Sequence, residues 1–217
     1  MPPEISRIEL LRLDSIICTK RDINRGQPLL KAGDPFYGIY LVRTGCFKTS
    51  VITDSGREQI TDLNLTGDPL GLDGISAVSH RFNVIALEDS TVCVVPFHSF
   101  EQLCSESETM QRHLYRLLSD SIVREAGLAA ILGTMSADQR IATFLLGLSS
   151  AFKTRGYSEK RFTLRMSREE IGNYLGMTVE TASRVLSKFE RNGLLGIRGR
   201  QVHLLNLDAL RARGRAA

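Results

Sequence analysis

The chain has 217 residues, 42% of them hydrophobic and 24% charged, with a formal net charge of +4. That is the make-up of a globular protein with room for one large or two modest cores. No run reaches the apolar length of a membrane span, and the start M-P-P-E-I-S-R lacks the basic and apolar regions of a signal peptide, so membrane and secreted classes are set aside and a cytoplasmic location is expected.

The charge is unevenly placed. Residues 161–217 carry 11 Lys/Arg against 5 Asp/Glu, whereas residues 1–160 carry 17 against 19. A basic C-terminal segment on a near-neutral remainder points to a polyanionic partner for that segment.

In chain order, residues 5–17 (I-S-R-I-E-L-L-R-L-D-S-I-I) place apolar side chains at helical spacing and predict a short amphipathic helix. Between residues 18 and 98, glycines at 26, 33, 38, 45, 56, 67, 71 and 74 punctuate short β-prone runs, such as Gly38–Val42 and Thr91–Val95. Regular turn signals between short strands predict an antiparallel barrel or roll.

Residues 108–132 predict a long helix. Tyr115, Leu118, Ile122, Glu125, Ala129 and Leu132 recur at alternating steps of three and four, the seam of a two-stranded coiled coil. A break at Gly133-Thr134-Met135-Ser136 suggests a hinge. A further helix opens at Asp138-Gln139-Arg140 and ends near Lys153, and Phe162–Met166 reads as a strand. The tail from Arg211 onward, R-A-R-G-R-A-A, reads as basic and frayed.

The most informative stretch is Ser167–Phe189, S-R-E-E-I-G-N-Y-L-G-M-T-V-E-T-A-S-R-V-L-S-K-F. Ser167 with Glu170 forms a capping box that starts a helix burying Ile171, Tyr174 and Leu175. Gly176 suits the left-handed turn that ends it, and Thr178 suits the N-cap of a second helix. In that helix Val179, Ala182, Val185, Leu186 and Phe189 share one face. Glu180, Ser183 and Arg184 share the other, extended by Ser187 and Arg191.

Arg suits the O6/N7 edge of guanine, Glu accepts from the cytosine amino group, and Ser reaches base or phosphate. The competing reading is a solvated face with an internal Glu–Arg pair. The residues that follow favour DNA. Ile197, Arg198-Gly199-Arg200, Val202 and Leu204 read as a hairpin with a basic tip, the wing of a winged helix, with Arg198 and Arg200 against phosphates.

The run I-G-N-Y-L-G-M-T-V-E-T-A-S-R-V-L-S-K-F resembles the DNA-binding motif of the Crp/Fnr superfamily of bacterial transcription regulators. The E-x-x-S-R of Glu180, Ser183 and Arg184 resembles the Fnr branch in particular. The pieces L-L-K-A-G-D, L-V-R-T-G-C-F-K and L-N-L-T-G-D are similar to the superfamily's β-roll sensor. The resemblance therefore implies an α+β chain in three parts: an N-terminal helix and double-stranded, cyclic-nucleotide-binding-like β-roll sensor domain (1–107), a dimerisation helix (108–133) and a winged helix-turn-helix domain (134–217).

It further implies a homodimer that reads a TTGAT-type inverted repeat in double-stranded DNA through Glu180, Ser183 and Arg184. Contact with RNA polymerase is implied as well, through loops such as Asp54–Arg57 and Gly74–Arg81.

Two superfamily ligands can be weighed against the residues. Cyclic-nucleotide sites need a Gly-Glu pair for the ribose and an Arg-Ser pair for the phosphate. This chain has Gly71-Leu72-Asp73 and Arg81-Phe82-Asn83, so cyclic AMP binding is not expected and Arg81 reads as a surface residue.

The oxygen-sensing branch holds a [4Fe–4S] cluster with three closely spaced N-terminal cysteines and one in the roll. Cys93 resembles that fourth ligand; Cys18, Cys46 and Cys104 match no ligand position, and the N-terminal trio is absent from the sequence. A cubane cluster needs four ligands, usually thiolates. Two readings stay open: a cluster-free regulator in which Cys93 is a small buried side chain, or an oxygen sensor whose other ligands lie in an extension. No cofactor is expected for the sequence as it stands, and cytosolic cysteines argue against disulfides.

An enzyme is the rival from another class. His80, His98, His113 and His203 are scattered, no H-E-x-x-H or P-loop is present, and Gly147-Leu148-Ser149-Ser150-Ala151 lies in a helical run rather than at a nucleophile elbow. A ligand-binding module with a vestigial reader would need the Glu180/Ser183/Arg184 face to be idle.

Glu125 does not belong in the helix seam, because two copies in a parallel dimer bring like charges together. Neutralisation by Arg124 or Arg116, or exposure to water, would make it harmless. If instead it keeps dimerisation marginal, Glu125→Ala raises the dimer population and basal DNA binding. Sedimentation velocity checks this, and an unchanged profile removes the idea.

Overall fold

A computed structural model describes residues 7–17 and 19–214. Its contacts divide the chain into two compact units, Met1–Glu125 and Ala126–Ala217.

In the first unit, α1 (Arg7–Ile16) is followed by eight strands: β1 (Thr19–Ile23), β2 (Pro28–Leu30), β3 (Gly38–Thr44), β4 (Cys46–Ile52), β5 (Glu58–Leu65), β6 (Pro69–Leu70), β7 (Asn83–Ala86) and β8 (Ser90–Pro96). They form two four-stranded sheets, ordered β1-β8-β3-β6 and β2-β7-β4-β5. Every pairing is antiparallel. The two strands read most clearly from the sequence pair with each other, Ile39 opposite Val95 and Tyr40 opposite Val94. The expected β-roll is present.

The sheet that contains β3 and β8 is covered on both faces, and strand alternation sorts its side chains. Tyr40, Val42 and Val92 enter the core between the sheets with Phe47, Val84 and Leu70. Ile39 and Val95 join a second cluster with Phe100, Leu103, Cys104 and Met110. That cluster is built by α2 (Phe97–Glu106) and the start of α3 (Glu108–Thr134), and Leu13 and Ile16 of α1 pack against it.

Helix α3 is long, as the seam predicts. Along it Tyr115 is 59% and Ile122 67% exposed within the single chain, and Glu125 and Ala129 are also exposed. Leu118 and Leu132 are half-buried. Arg124 faces Asp68 at 4.0 Å, and among the described residues Glu125 makes no ion pair with it. The division between the compact units falls inside α3. The break in helix lies where the hinge was read, with α3 ending at Thr134 and Ser136 capping the next helix.

The second unit contains α4 (Ala137–Thr154), β9 (Arg161–Thr163), α5 (Arg168–Tyr174), α6 (Val179–Arg191), β10 (Leu195–Arg198), β11 (Gln201–Leu204) and α7 (Leu207–Gly214). The strands form one antiparallel sheet, ordered β10-β11-β9. Helix α4 packs on α6 and α7, and α5 packs on α6. Ring contacts of Phe144 with Tyr174 and of Phe152 with Phe162 tie α4 to α5 and to the sheet.

Three expectations need correction. The strand read over Phe162–Met166 is only Arg161–Thr163; Leu164 and Met166 are buried as the chain turns into α5. Residues Arg211–Gly214 are the end of α7 rather than a frayed tail, because Leu210 is fully buried and anchors the turn. Residues 215–217, and Cys18 at the other end, lie outside the described residues. Val179, read as part of the apolar face of α6, is 38% exposed, since it occupies the first helical position. Ser149 of the G-L-S-S-A run is buried and donates to the Glu159 carbonyl at 2.6 Å, which makes it a structural hydroxyl.

Candidate nucleic-acid interface

The interface is built on a helix-turn-helix. Ser167 caps α5 with a complete box: Glu170 N donates to Ser167 Oγ at 3.1 Å, and Ser167 N donates to Glu170 Oε2 at 2.8 Å. Gly176 leaves the helix at φ +61°. Gly172 has a different reason to be glycine. A Cβ there would lie 2.8 Å from the Met177 carbonyl oxygen and 3.3 Å from that of Thr178. The turn can fold this tightly over α5 only because that methyl group is missing.

Thr178 then caps α6, its hydroxyl accepting from Thr181 N at 3.3 Å. Ala182, Val185, Leu186 and Phe189 are buried beneath α6. Fully burying side chains the size of Val185, Leu186 and Phe189 stabilises by about 1.5–3 kcal/mol each, which fixes the rotation of the helix about its own axis.

The opposite face is thereby turned to solvent. Thr178, Glu180, Arg184, Ser187 and Arg191 are exposed and Ser183 is half-buried. Among the described residues Glu180 and Arg184 make no ion pair with each other, so the internal Glu–Arg pair is not formed. The Glu180 carboxyl is held below the usual carboxylate range by its own backbone N–H and, next, by the Thr178 hydroxyl. It stays ionised, and able to accept a hydrogen bond, at mildly acidic pH.

Glu190 links this helix to the hairpin, accepting from Ile197 N at 3.0 Å. β10 and β11 are joined through Gly199 and Arg200, with Gly199 at φ +59°, the left-handed conformation that a Gly-X hairpin tip uses. Arg198 and Arg200 are exposed. They are not equivalent, because Arg200 Nη1 donates to the Arg165 carbonyl at 3.1 Å. Beside the hairpin, Arg161, Glu190, Arg198, Gln201 and His203 line a groove. Arg168, at the start of α5, is half-buried; burial lowers its pKa and the charge of Glu190 opposes that shift.

The turn entering α4 carries contacts that reading by motif missed. Ser136 and Gln139 form a second capping box, legible afterwards as S-x-x-Q. Asp138 accepts from Lys188 of α6 at 2.5 Å. Arg140 donates to four main-chain carbonyls, for which the sequence has no signal.

In the sensor unit, Asp73 stands where the cyclic-nucleotide site would need a glutamate. It is spent internally: Oδ2 accepts from Arg81 N at 2.6 Å and Phe82 N at 3.2 Å, and Oδ1 lies 3.2 Å from His80 Nδ1. Arg81 is exposed.

Cys46 and Cys104 are buried, Cys93 is half-buried, and none of the three is in a disulfide. Burial, then Glu101, pushes the Cys104 thiol up. Among the described residues no three His, Cys, Asp or Glu side chains are grouped to hold a metal ion.

Two domains, one a β-roll of sensor type and one a winged helix-turn-helix, define the class as a ligand- or signal-responsive DNA-binding regulator. Residues 20–107 match the cyclic nucleotide-binding domain and residues 139–213 the Crp-like helix-turn-helix domain. The chain is 40% identical over 206 residues to the transcriptional activator protein anr of Pseudomonas aeruginosa, covering 95% of this chain and 84% of that protein. It is 40% identical over 210 residues to the fumarate and nitrate reduction regulatory protein of Escherichia coli K12, covering 97% and 84%.

Among solved structures, FixK2 from Bradyrhizobium japonicum superposes with a TM-score of 0.83 at 32% identity, over 92% of this chain and 98% of that one. The chain belongs to the Crp/Fnr family of transcription regulators. Its relatives are regulators rather than enzymes, and no described helix is long and apolar enough to cross a membrane.

Thr178→Ala removes both the cap of α6 and a hydrogen bond to Glu180. The cap costs about 1 kcal/mol, measured by denaturant unfolding, and the Glu180 titration followed by NMR moves up towards the ordinary carboxylate value. A carboxylate with a lowered folded pKa stabilises above its unfolded value and loses that contribution as pH falls through the folded one. The variant should therefore depend less on pH in the acidic range.

Proposed function

We propose that the chain acts as a cytoplasmic homodimer that binds a TTGAT-type inverted repeat, each protomer inserting α6 into a major groove. Glu180, Ser183 and Arg184 read base edges. Thr178, Ser187, Arg198 and Arg200 position the protein on the phosphate backbone. The observation that carries this reading is the face of α6. Its back is locked by four buried apolar side chains, and its Glu and Arg are left apart and exposed. The basic excess of residues 161–217 supports a polyanionic partner.

The dimer reading rests on α3. Tyr115 and Ile122 are exposed large side chains on the predicted seam, and an inverted repeat calls for a two-fold partner. Activation of transcription is favoured by the likeness to the activator anr. Contact with RNA polymerase would use loops such as Asp54–Arg57 and Gly74–Arg81; in the second, Val78 is 79% exposed.

For the sensor we propose neither cyclic AMP nor, in the chain as given, an iron–sulfur cluster. Asp73 is engaged with the Arg81 and Phe82 amides, and Cys93 lies on β8 opposite Lys20 and Leu41. Iron and sulfide analysis after anaerobic expression from the native upstream start tests the second point: stoichiometric iron and sulfide would restore the oxygen-sensing reading.

Arg184→Ala should remove about 1–3 kcal/mol of base discrimination per half-site, read as the ratio of affinities for the TTGAT-type site and a substituted one. Wild-type affinity should fall steeply with salt, about 0.9 log unit per tenfold salt for each phosphate contact. Equal preference in wild type and variant would show the reading face to be misassigned.

A further inference from the structure

Arg140 lies in the first turn of α4, two helical positions after Asp138, and is half-buried. Its guanidinium reaches two separate chain ends. Nε donates to the Met135 carbonyl at 2.9 Å and Nη2 to that of Leu132 at 2.6 Å, at the end of α3. Nη1 donates to the carbonyls of Leu175 at 2.9 Å and Gly176 at 3.2 Å, in the turn of the helix-turn-helix. The last carbonyls of a helix have no intrahelical partner and carry its negative dipole end, so a cation there is favourable.

One planar, five-donor group thus closes the ends of α3 and α5 together, in a geometry a lysine cannot reproduce. The packing is as close as the hydrogen bonding. A Cβ on Gly176 would meet Leu132 Cδ2 at 3.2 Å and Arg140 Nη1 at 3.3 Å. Two residues earlier on α4, Asp138 holds Lys188 of the reading helix.

We propose that Arg140 is a specificity-determining positioning residue. By fastening the helix-turn-helix to the end of α3, it sets the half-site spacing that the paired molecule accepts. This rests on the dimeric, inverted-repeat reading above. Only Met135 and Ser136 separate α3 from α4, and two such residues are a hinge unless something spans them. If α3 pairs with its copy, the angle at this hinge fixes where each reading helix points. One base pair more or less in the spacer moves a half-site by about 3.4 Å along the duplex axis and rotates it by about 35°. A clamped hinge cannot follow that change; a loosened one can. A residue that merely stabilised the fold would alter affinity for every spacing alike.

The experiment uses the full chain as wild type, Arg140→Ala, Arg140→Lys and Arg184→Ala. Binding is measured at one salt concentration to inverted repeats with the native spacer, with one base pair added or removed, and to an unrelated duplex. Wild type should lose about tenfold or more when the spacer changes, the scale of one misplaced base contact. Both Arg140 variants should lose less than about threefold, on the same scale, while still preferring either repeat to unrelated DNA. Arg184→Ala should do the reverse, losing base preference and keeping the spacing penalty.

A wild-type spacing penalty retained in the Arg140 variants overturns the proposal, as does a wild type indifferent to spacing. If Arg140→Ala does not fold, Arg140→Lys, which keeps the charge, carries the test. Failure of both to fold by circular dichroism also overturns it, assigning the clamp to stability alone. A wild type with no preference for the TTGAT-type repeat over unrelated DNA instead sinks the base-reading assignment on which this inference stands.

Discussion

The seam beneath α6 is the constraint from which the DNA-binding half follows. Ala182, Val185, Leu186 and Phe189 recur at steps of three, one and three and all are buried. A helix held along such a stripe has one rotational setting, and in that setting Glu180 and Arg184 face solvent. Their side chains have the spacing to pair with each other, yet that pairing is unmade. An arginine in water retains its full hydrogen-bonding capacity for a base edge, and a pre-formed internal pair would have to be broken first.

The turn preceding α6 depends on what is missing as much as on what is present. Gly172 lacks a Cβ where the Met177 carbonyl would be 2.8 Å away, and Gly176 takes a left-handed φ against Leu132 and Arg140. These two close approaches let α5, the turn and the end of α3 share a small volume. The same crowding puts the Leu175 and Gly176 carbonyls within reach of one guanidinium. Local backbone geometry and the longer-range clamp are two consequences of one packing arrangement.

In the sensor unit the organising feature is a sheet buried on both faces. Alternate side chains of β3 and β8 serve the roll interior and the cluster built with α1, α2 and α3. The segment that a cyclic-nucleotide site would use is tied into itself, Asp73 accepting from two backbone amides and lying beside buried His80. Family membership fixes this architecture and leaves the signal to the residues of the individual chain. Here those residues close the loop on itself.

Local sequence chemistry determined a good part of this molecule. The capping box at Ser167, the buried stripe of α6 from Ala182 to Phe189, the Gly199 hairpin tip and the length of α3 are each set by side chains a few residues apart, and all appear where the sequence places them. Short-range signals are legible because their physics is short-range. Tertiary structure decided the rest. The end of β9, the helix over Leu207–Gly214 and the need for glycine at position 172 depend on what packs against them from elsewhere in the chain. So does the role of Arg140, whose carbonyl partners lie as far as 36 residues away. Main-chain carbonyls are the same in every residue, so no sequence pattern says which of them a guanidinium will find; only the folded path of the backbone brings those four together.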